Sequence, residues 1–154
     1  NLIPRYKDRG AWHLGRLLAS RLAKAVTAIS DSPDTLLVPV PSLPAAVRRR
    51  GFDHGRDLAR RAAKRLGLDW KVALRRAATG LDQRALAKAD RRLNMHGAMR
   101  LRNPAAMPRV GGVVVCDDVI TTGSSLKEAI RALTSQGVDV TGAAVIANAD
   151  KNLS

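Results

Sequence analysis

Hydrophobic residues recur at helical or strand spacing in six segments of the chain, and the two periodicities alternate. The predicted elements, in chain order, are a helix over residues 14–29, a strand over 36–40, a helix over 58–66, a strand over 113–116, a helix over 126–133 and a strand over 138–147. Residues 71–77 are compatible with a further strand or with an irregular run. Alternating strands and helices favour an α/β fold, in which a mostly parallel sheet is covered by helices on both faces.

The segment that follows the strand at 113–116 carries the strongest chemical signal. Two adjacent carboxylates, Asp117 and Asp118, are followed by two apolar residues and then by the loop Thr121 to Ser125, which contains only hydroxyl residues and glycine. Because this loop begins a helix, its backbone N–H groups and the positive end of the helix dipole face outward. Gly123 allows close approach of the backbone, so a phosphate group fits there.

The two carboxylates would repel that phosphate, but they could hold sugar hydroxyls or a divalent cation. An acidic pair beside a phosphate-binding loop therefore predicts a site for a sugar phosphate. The alternative interpretation is an ordinary strand–helix turn, with Ser124 as an N-cap and with acids that lie at a solvated strand end.

The same segment resembles the 5-phosphoribosyl-1-pyrophosphate (PRPP) motif of type I phosphoribosyltransferases. That motif is an apolar strand, two acidic residues, two apolar residues and Thr-Thr-Gly-x-Thr, and Ser125 here replaces the last Thr and keeps its hydroxyl. The resemblance implies the type I phosphoribosyltransferase fold, with a Rossmann-like, mostly parallel sheet. It implies that Asp117 and Asp118 contact the ribose 2′ and 3′ hydroxyls and bind the cofactor Mg²⁺ directly or indirectly. The residues implied to hold the 5′-phosphate are Thr121, Thr122, Gly123, Ser124 and Ser125.

Three arginines, Arg48, Arg49 and Arg50, follow the first predicted strand. Since ligands of such sheets bind at the carboxyl ends of the strands, we expect these arginines at the same edge as the acidic pair. Their guanidinium groups suit a pyrophosphate, and Arg50 joins Asp117 and Asp118 as a predicted catalytic residue. The alternative is a solvated basic turn.

Other polar residues receive weaker predictions. Arg75, Arg76 or Arg92 could belong to a closing loop that excludes water. His54 and His96 are candidates for a general base by their chemistry alone, although a surface or capping role is the preferred interpretation for both.

The resemblance extends to the ComF family of competence proteins. It rests on Val-Pro-Val-Pro at 38–41, on Arg-Arg-Gly-Phe at 49–52, on the region around Tyr6-Lys7, and on a series formed by Thr79, Gln83, Leu86, Arg91 or Arg92, and Asn94. Asp53-His54 replaces the usual Asn-Gln, and Met99 stands where Phe is common. The amino-terminal cysteine-rich zinc ribbon of many relatives is not part of this sequence, so either it was cut away or this relative lacks it. With one Cys and three scattered His, we expect no structural zinc site.

Composition limits the class of protein. A length of 154 residues, 45% hydrophobic and 26% charged, fits one water-soluble phosphoribosyltransferase-like domain over 1–154. We expect no membrane span and no signal peptide, and a single Cys suits the cytoplasm. The net charge of +14 is concentrated in residues 48–102, where 17 basic residues oppose 5 acidic ones. Such a segment attracts a pyrophosphate, a nucleotide or a nucleic acid.

Three functional hypotheses follow. The first is a Mg²⁺- and PRPP-binding phosphoribosyltransferase, a glycosyltransferase, whose acceptor is unknown. The second is a ComF-type DNA-uptake factor that binds single-stranded DNA and retains a relict or regulatory nucleotide site. The third is a regulatory module that senses PRPP without turnover. A homo-oligomer is left open in all three.

Overall fold

The computed structural model describes residues 12–77, 97–108, 111–120 and 122–148 of the chain. Its helices are α1 (Trp12–Thr27), α2 (Pro44–Arg50), α3 (His54–Leu66) and α4 (Ser124–Thr134), with a 3₁₀ turn at Pro104–Ala106. Its strands are β1 (Leu36–Pro39), β2 (Asp69–Trp70), β3 (Leu74–Arg76), β4 (Met99–Leu101), β5 (Val113–Ile120) and β6 (Val140–Asn148). Within these ranges no helix is long and apolar enough to cross a membrane.

The central sheet has four strands in the order β2-β1-β5-β6, and every neighbouring pair is parallel. A separate antiparallel pair is formed by β3 and β4. The parallel sheet with helices beside it confirms the predicted α/β class. Two features differ from the sequence-based expectation, since β5 continues through both acidic residues and the Arg48–Arg50 segment is the last turn of a helix.

Each face of the sheet packs against its own hydrophobic cluster. On one face, α1 and α3 cover Leu37, Val114 and Cys116, and Leu22 of α1 belongs to the same buried cluster. On the other face, α4 and the β3–β4 pair cover Val113 and Val115. This alternation over residues 113–116 follows from the period of two in a strand. It changes phase near the end of β5, where Val119 packs with the first cluster and Ile120 with the second.

A buried carboxylate attaches the β3–β4 pair to α4. Glu128 of α4 is only 4% exposed, and its Oε1 accepts a hydrogen bond from the Met99 N–H at 3.0 Å. Arg131 donates from Nε to Oε2 and from Nη2 to Oε1 of the same carboxylate, each at 2.8 Å, and its Nη2 also lies 3.1 Å from the Met99 carbonyl oxygen. The pair therefore fixes the backbone of β4 on the helix.

The helices that follow β1 and β5 lie on opposite faces of the sheet. After β1 the chain continues to α3, which packs with α1, whereas after β5 it continues to α4 on the other face. In a parallel sheet, a crevice forms at the carboxyl ends of two neighbouring strands when the helices that follow them lie on opposite faces. The register pairs Pro39 with Cys116, so β5 projects four residues further, to Ile120. The site is built at this edge.

Candidate functional site

The bend between β5 and α4 lies at the surface. Thr122 is exposed, and Gly123, Ser124 and Ser125 are partly exposed, whereas Thr121 lies outside the described residues. Gly123 has φ of 74°, in the left-handed region that favours glycine, and it immediately precedes the first turn of α4. The Thr122 and Ser124 hydroxyl oxygens are 2.8 Å apart. The Ser124 N–H donates to the Thr122 hydroxyl at 3.3 Å. Because the first N–H groups of a helix lack intrahelical acceptors, the start of this 11-residue helix can still offer donors to an anion.

The two acids at the end of β5 point to opposite faces of the sheet. Asp118 continues the row formed by Val114 and Cys116, and it is 5% exposed. Its Oδ1 accepts a hydrogen bond from the Val119 N–H at 2.7 Å. Asp117 lies on the other face, where it remains partly exposed and accepts from the Asp118 N–H at 2.8 Å. The two carboxylates therefore have different surroundings.

Asp118 has a partner that the sequence did not assign to it. His54, the first residue of α3, is 7% exposed, and its Nε2 lies 2.8 Å from Oδ2 of Asp118. The Nδ1 atom of the same ring is 3.2 Å from Nη1 of Arg50. The preferred interpretation of His54 as a surface or capping residue is thus wrong. The cap of α3 is Asp53, whose Oδ1 accepts from the Arg56 N–H at 3.2 Å and from the Ser42 hydroxyl at 2.9 Å.

The three predicted arginines do not act as one group. They form the last turn of α2, where positive charge complements the helix dipole, and the helix ends at Gly51 with φ of 78°. Arg48 is exposed and lines a cavity, and Arg49 is exposed without lining it. Arg50 turns inward to His54, and its Nε is buried without a hydrogen-bond partner among the described residues.

The cavity beside Arg48 has a volume of about 430 Å³. It lies at the carboxyl end of β1, between α2, the start of α3 and β3. Its walls are apolar at Val40 and Val47, and its charged lining residues are Arg48, Asp53, Arg56, Arg75, Arg76 and Arg102. Five arginines against one carboxylate give the cavity a positive potential, which would attract an anion.

Arg76 connects this cavity to the acidic edge. Its Nε donates to the Pro41 carbonyl oxygen at 3.0 Å. Burial lowers the pKa of Arg76, and the charge of Asp117 offsets part of that effect. Arg76 therefore lies within electrostatic range of Asp117. Arg75 and Arg76 both belong to β3 and not to a loop, whereas Arg92 and His96, which were also named from the sequence, lie outside the described residues.

The thiol beside the acids is a structural group. Cys116 is 1% exposed, and burial, assisted by the negative charge of Asp117, raises the pKa of its thiol to about 12. A thiol with that pKa carries almost no thiolate near neutral pH, so Cys116 is unsuited to nucleophilic chemistry.

Comparisons with known proteins agree with this architecture. A family model described as a phosphoribosyl transferase domain matches residues 44–153. Competence protein F of Haemophilus influenzae is 30% identical over 143 residues, which cover 90% of this chain and 62% of that protein. The chain thus spans less than two thirds of the curated relative.

Two solved structures share the fold with a TM-score of 0.50 each. One is an allosteric regulatory enzyme of purine biosynthesis, at 16% identity over 86% of this chain and 25% of that chain. The other is the glutamine PRPP amidotransferase of B. subtilis in complex with ADP and GMP, at 17% identity over 84% of this chain and 26% of that chain. These two show similarity of fold alone. The family model alone, which matches more than half of the chain, shows that the chain belongs to the phosphoribosyl transferase domain family, and the chain is similar within that family to competence protein F.

Proposed function

We propose that this protein binds PRPP with Mg²⁺ and transfers its phosphoribosyl group to an acceptor. The observation that carries the proposal is the exposed bend of Thr122, Gly123 and Ser125, located at the start of α4 and only a few residues beyond Asp117. This spacing lets one ligand present a phosphate to helix N–H groups and sugar hydroxyls to a carboxylate. Thr121 is assigned to the phosphate with the rest of the bend.

The reaction breaks the bond between C1 of the ribose and the pyrophosphate oxygen, and the electron pair leaves with pyrophosphate. The acceptor then forms its bond to C1 and loses a proton. Asp117, which is partly exposed, holds the ribose hydroxyls and stabilises the positive charge that develops on the ring. Asp118, which is buried against His54, adds negative charge from the other side of the strand. Arg48 and Arg49 are assigned to the departing pyrophosphate, and Arg50 acts through His54.

The residues at this edge fit a Mg²⁺ ion that arrives with its substrate. In the part of the chain that the structure describes, no group of three or more His, Cys, Asp or Glu side chains could hold a metal ion. Mg²⁺ needs no such cage, because it commonly binds through one or two carboxylates and completes its shell with phosphate oxygens and water. Asp117, and Asp118 indirectly, would supply the protein's share. When bound, the ion neutralises charge on the leaving pyrophosphate.

Calorimetric titration of PRPP with Mg²⁺ tests the proposal. Asp117→Asn removes the charge that strengthens hydrogen bonds to the sugar, each worth about 1.5–3 kcal/mol, so we expect about 10- to 100-fold weaker binding. Asp139→Asn is the matched control, because Asp139 is exposed and precedes β6 at the opposite edge of the sheet. Equal heats of PRPP binding for wild type and Asp117→Asn would show that the Asp117 carboxylate does not hold the sugar.

Turnover is tested separately. Pyrophosphate release in the presence of a panel of bases and amines is expected for a transferase. Tight PRPP binding with no release for any acceptor would favour the regulatory module that senses PRPP.

A second candidate function is favoured by the charge of residues 48–102, where 17 basic residues oppose 5 acidic ones. A DNA-uptake factor would bind single-stranded DNA through these charges, and its affinity should fall steeply as salt rises. Affinity that does not change between low and physiological salt would eliminate this candidate.

A further inference from the structure

His54 lies between two charged groups that the sequence assigned separately to the substrate site. Its Nδ1 faces Nη1 of Arg50 at 3.2 Å, and its Nε2 faces Oδ2 of Asp118 at 2.8 Å. A guanidinium nitrogen can only donate, so Nδ1 is the acceptor of that contact. A carboxylate oxygen can only accept, so Nε2 carries the proton. The contact with Arg50 occupies Nδ1 as an acceptor, and it leaves Nε2 as the ring nitrogen that directs a proton toward Asp118.

Among the residues that the structure describes, few other contacts fix the position of helix α2. None of its residues is buried, and neither hydrophobic cluster includes a residue of α2. The hydrogen bond from the Gly51 N–H to the Val47 carbonyl oxygen closes the helix on itself and does not attach it to the sheet. Among the residues that the structure describes, a side-chain hydrogen bond connects α2 to the rest of the fold, and it joins Arg50 to His54.

The other end of this link is well anchored. His54 begins α3, whose amino terminus is capped by Asp53, and Asp53 is in turn bonded to the Ser42 hydroxyl. Asp118 is held by the backbone of β5 through the Val119 N–H. A side chain that contacts Arg50 from this position can hold α2 at a defined distance from the end of β5.

We propose that His54 is a positioning residue, which fixes α2 against the acidic end of β5 and so holds Arg48 and Val47, two residues that line the cavity, at a defined distance from that strand end. The inference rests on the proposed function, because the substrate is taken to lie between these groups. His54 itself touches neither the sugar nor the pyrophosphate, and it acts through Arg50 and Asp118.

Two substitutions separate the contacts of the ring from its volume. His54→Leu removes both polar contacts, whereas His54→Gln retains one acceptor and a donor. Lys64→Gln is the control, since Lys64 is exposed on the same helix. We expect His54→Leu to raise the Kd for PRPP with Mg²⁺ about 10- to 100-fold, and His54→Gln to remain within a few-fold of wild type. If wild type and His54→Leu bind PRPP equally, the inference is overturned and the proposed function stands.

Hydrogen exchange gives a readout that does not depend on PRPP. His54→Leu should speed exchange in residues 44–51 relative to wild type and to Lys64→Gln, while residues 124–134 exchange as before. Unchanged exchange in 44–51 overturns the inference even if PRPP binds. If wild type fails to bind PRPP, the proposed function is lost, and this comparison still decides whether His54 holds α2.

Two further measurements cover the remaining outcomes. Arg50→Ala breaks the same link from its other end, so it gives the same exchange test if His54→Leu does not fold. Nitrogen-15 spectra of wild type should show His54 protonated on Nε2 alone, and a proton on Nδ1 alone would overturn the assigned contacts.

Discussion

The link between Glu128, Arg131 and Met99 allows a quantitative prediction about stability. Glu128→Gln keeps the shape of the side chain and can keep an oxygen at the Oε1 position, where it still accepts from the Met99 N–H and from Arg131 Nη2. The amide nitrogen then faces Arg131 Nε, so one charge-assisted bond is lost. Such a bond is worth about 1.5–3 kcal/mol, and Arg131 is 32% exposed, so water compensates in part. We expect a loss of about 2 kcal/mol in the free energy of unfolding.

Urea denaturation followed by circular dichroism measures this loss directly. A loss of about 2 kcal/mol corresponds to a decrease in Tm of about 4–8 °C for a domain of this size. Glu128→Ala should cost more, about 3–5 kcal/mol, because it leaves a buried N–H at Met99 without its acceptor. Lys127→Gln is the control, since it changes a charge at an exposed neighbour on the same helix. A loss below about 0.5 kcal/mol for Glu128→Gln, typical of a surface substitution, would refute the argument.

The pH dependence provides an independent check. Burial by itself would raise the pKa of Glu128, but the hydrogen bonds from Arg131 and from the Met99 N–H outweigh it, and the pKa lies below its ordinary value. The carboxylate therefore stabilises the fold above the pKa of the unfolded chain, and this contribution disappears as the pH falls through the lower pKa of the folded state. The difference between wild type and Glu128→Gln should be largest near neutral pH and shrink in acid. A difference that stays constant would contradict the sign.

Two other predictions concern the site itself. Gly123→Ala and Gly137→Ala should each lower the free energy of unfolding by about 1–2 kcal/mol, because both glycines have φ near 75°. A Cβ at either position would meet no atom within 4 Å, so backbone strain is the whole cost. Only Gly123→Ala should weaken PRPP binding, because it places a methyl group at the phosphate bend. Equal loss of PRPP affinity in both variants would show that the bend is not the phosphate site. Cys116, whose pKa is raised to about 12 by burial, should resist alkylation near neutral pH until denaturant is added, and fast alkylation of the native protein would show that the strand end is open.

The elements with a strong hydrophobic period were predictable from the sequence. The helical stripe over 14–29 and the apolar run at 36–40 correspond to α1 and β1, and Gly67 ends α3 as expected. Helix α2 was not predicted, because it has no buried residue and therefore no apolar stripe. Strand β4 is three residues long, too short for a periodic signal, and Met99 in it is fully buried.

The two acids were identified from the sequence, but neither carboxylate was assigned to a face of the sheet. Their position at the end of a buried strand was predicted, and the alternation of Val114, Cys116 and Asp118 would have placed Asp118 on the face covered by α3. That signal was present in the sequence. The partner was not, because the contact with His54 depends on where α3 begins and joins residues that are 64 positions apart.

Because Asp117 and Asp118 point to opposite faces of the sheet, two consecutive residues lie on the sides of two different hydrophobic clusters, at the point where the ligand is expected. Substitutions in the cluster beneath α1 and α3 should shift Asp118, whereas substitutions in the cluster beneath α4 should shift Asp117. Distant core substitutions on the two sides should therefore disturb the ligand in distinguishable ways, although the acids through which they act are consecutive in the chain.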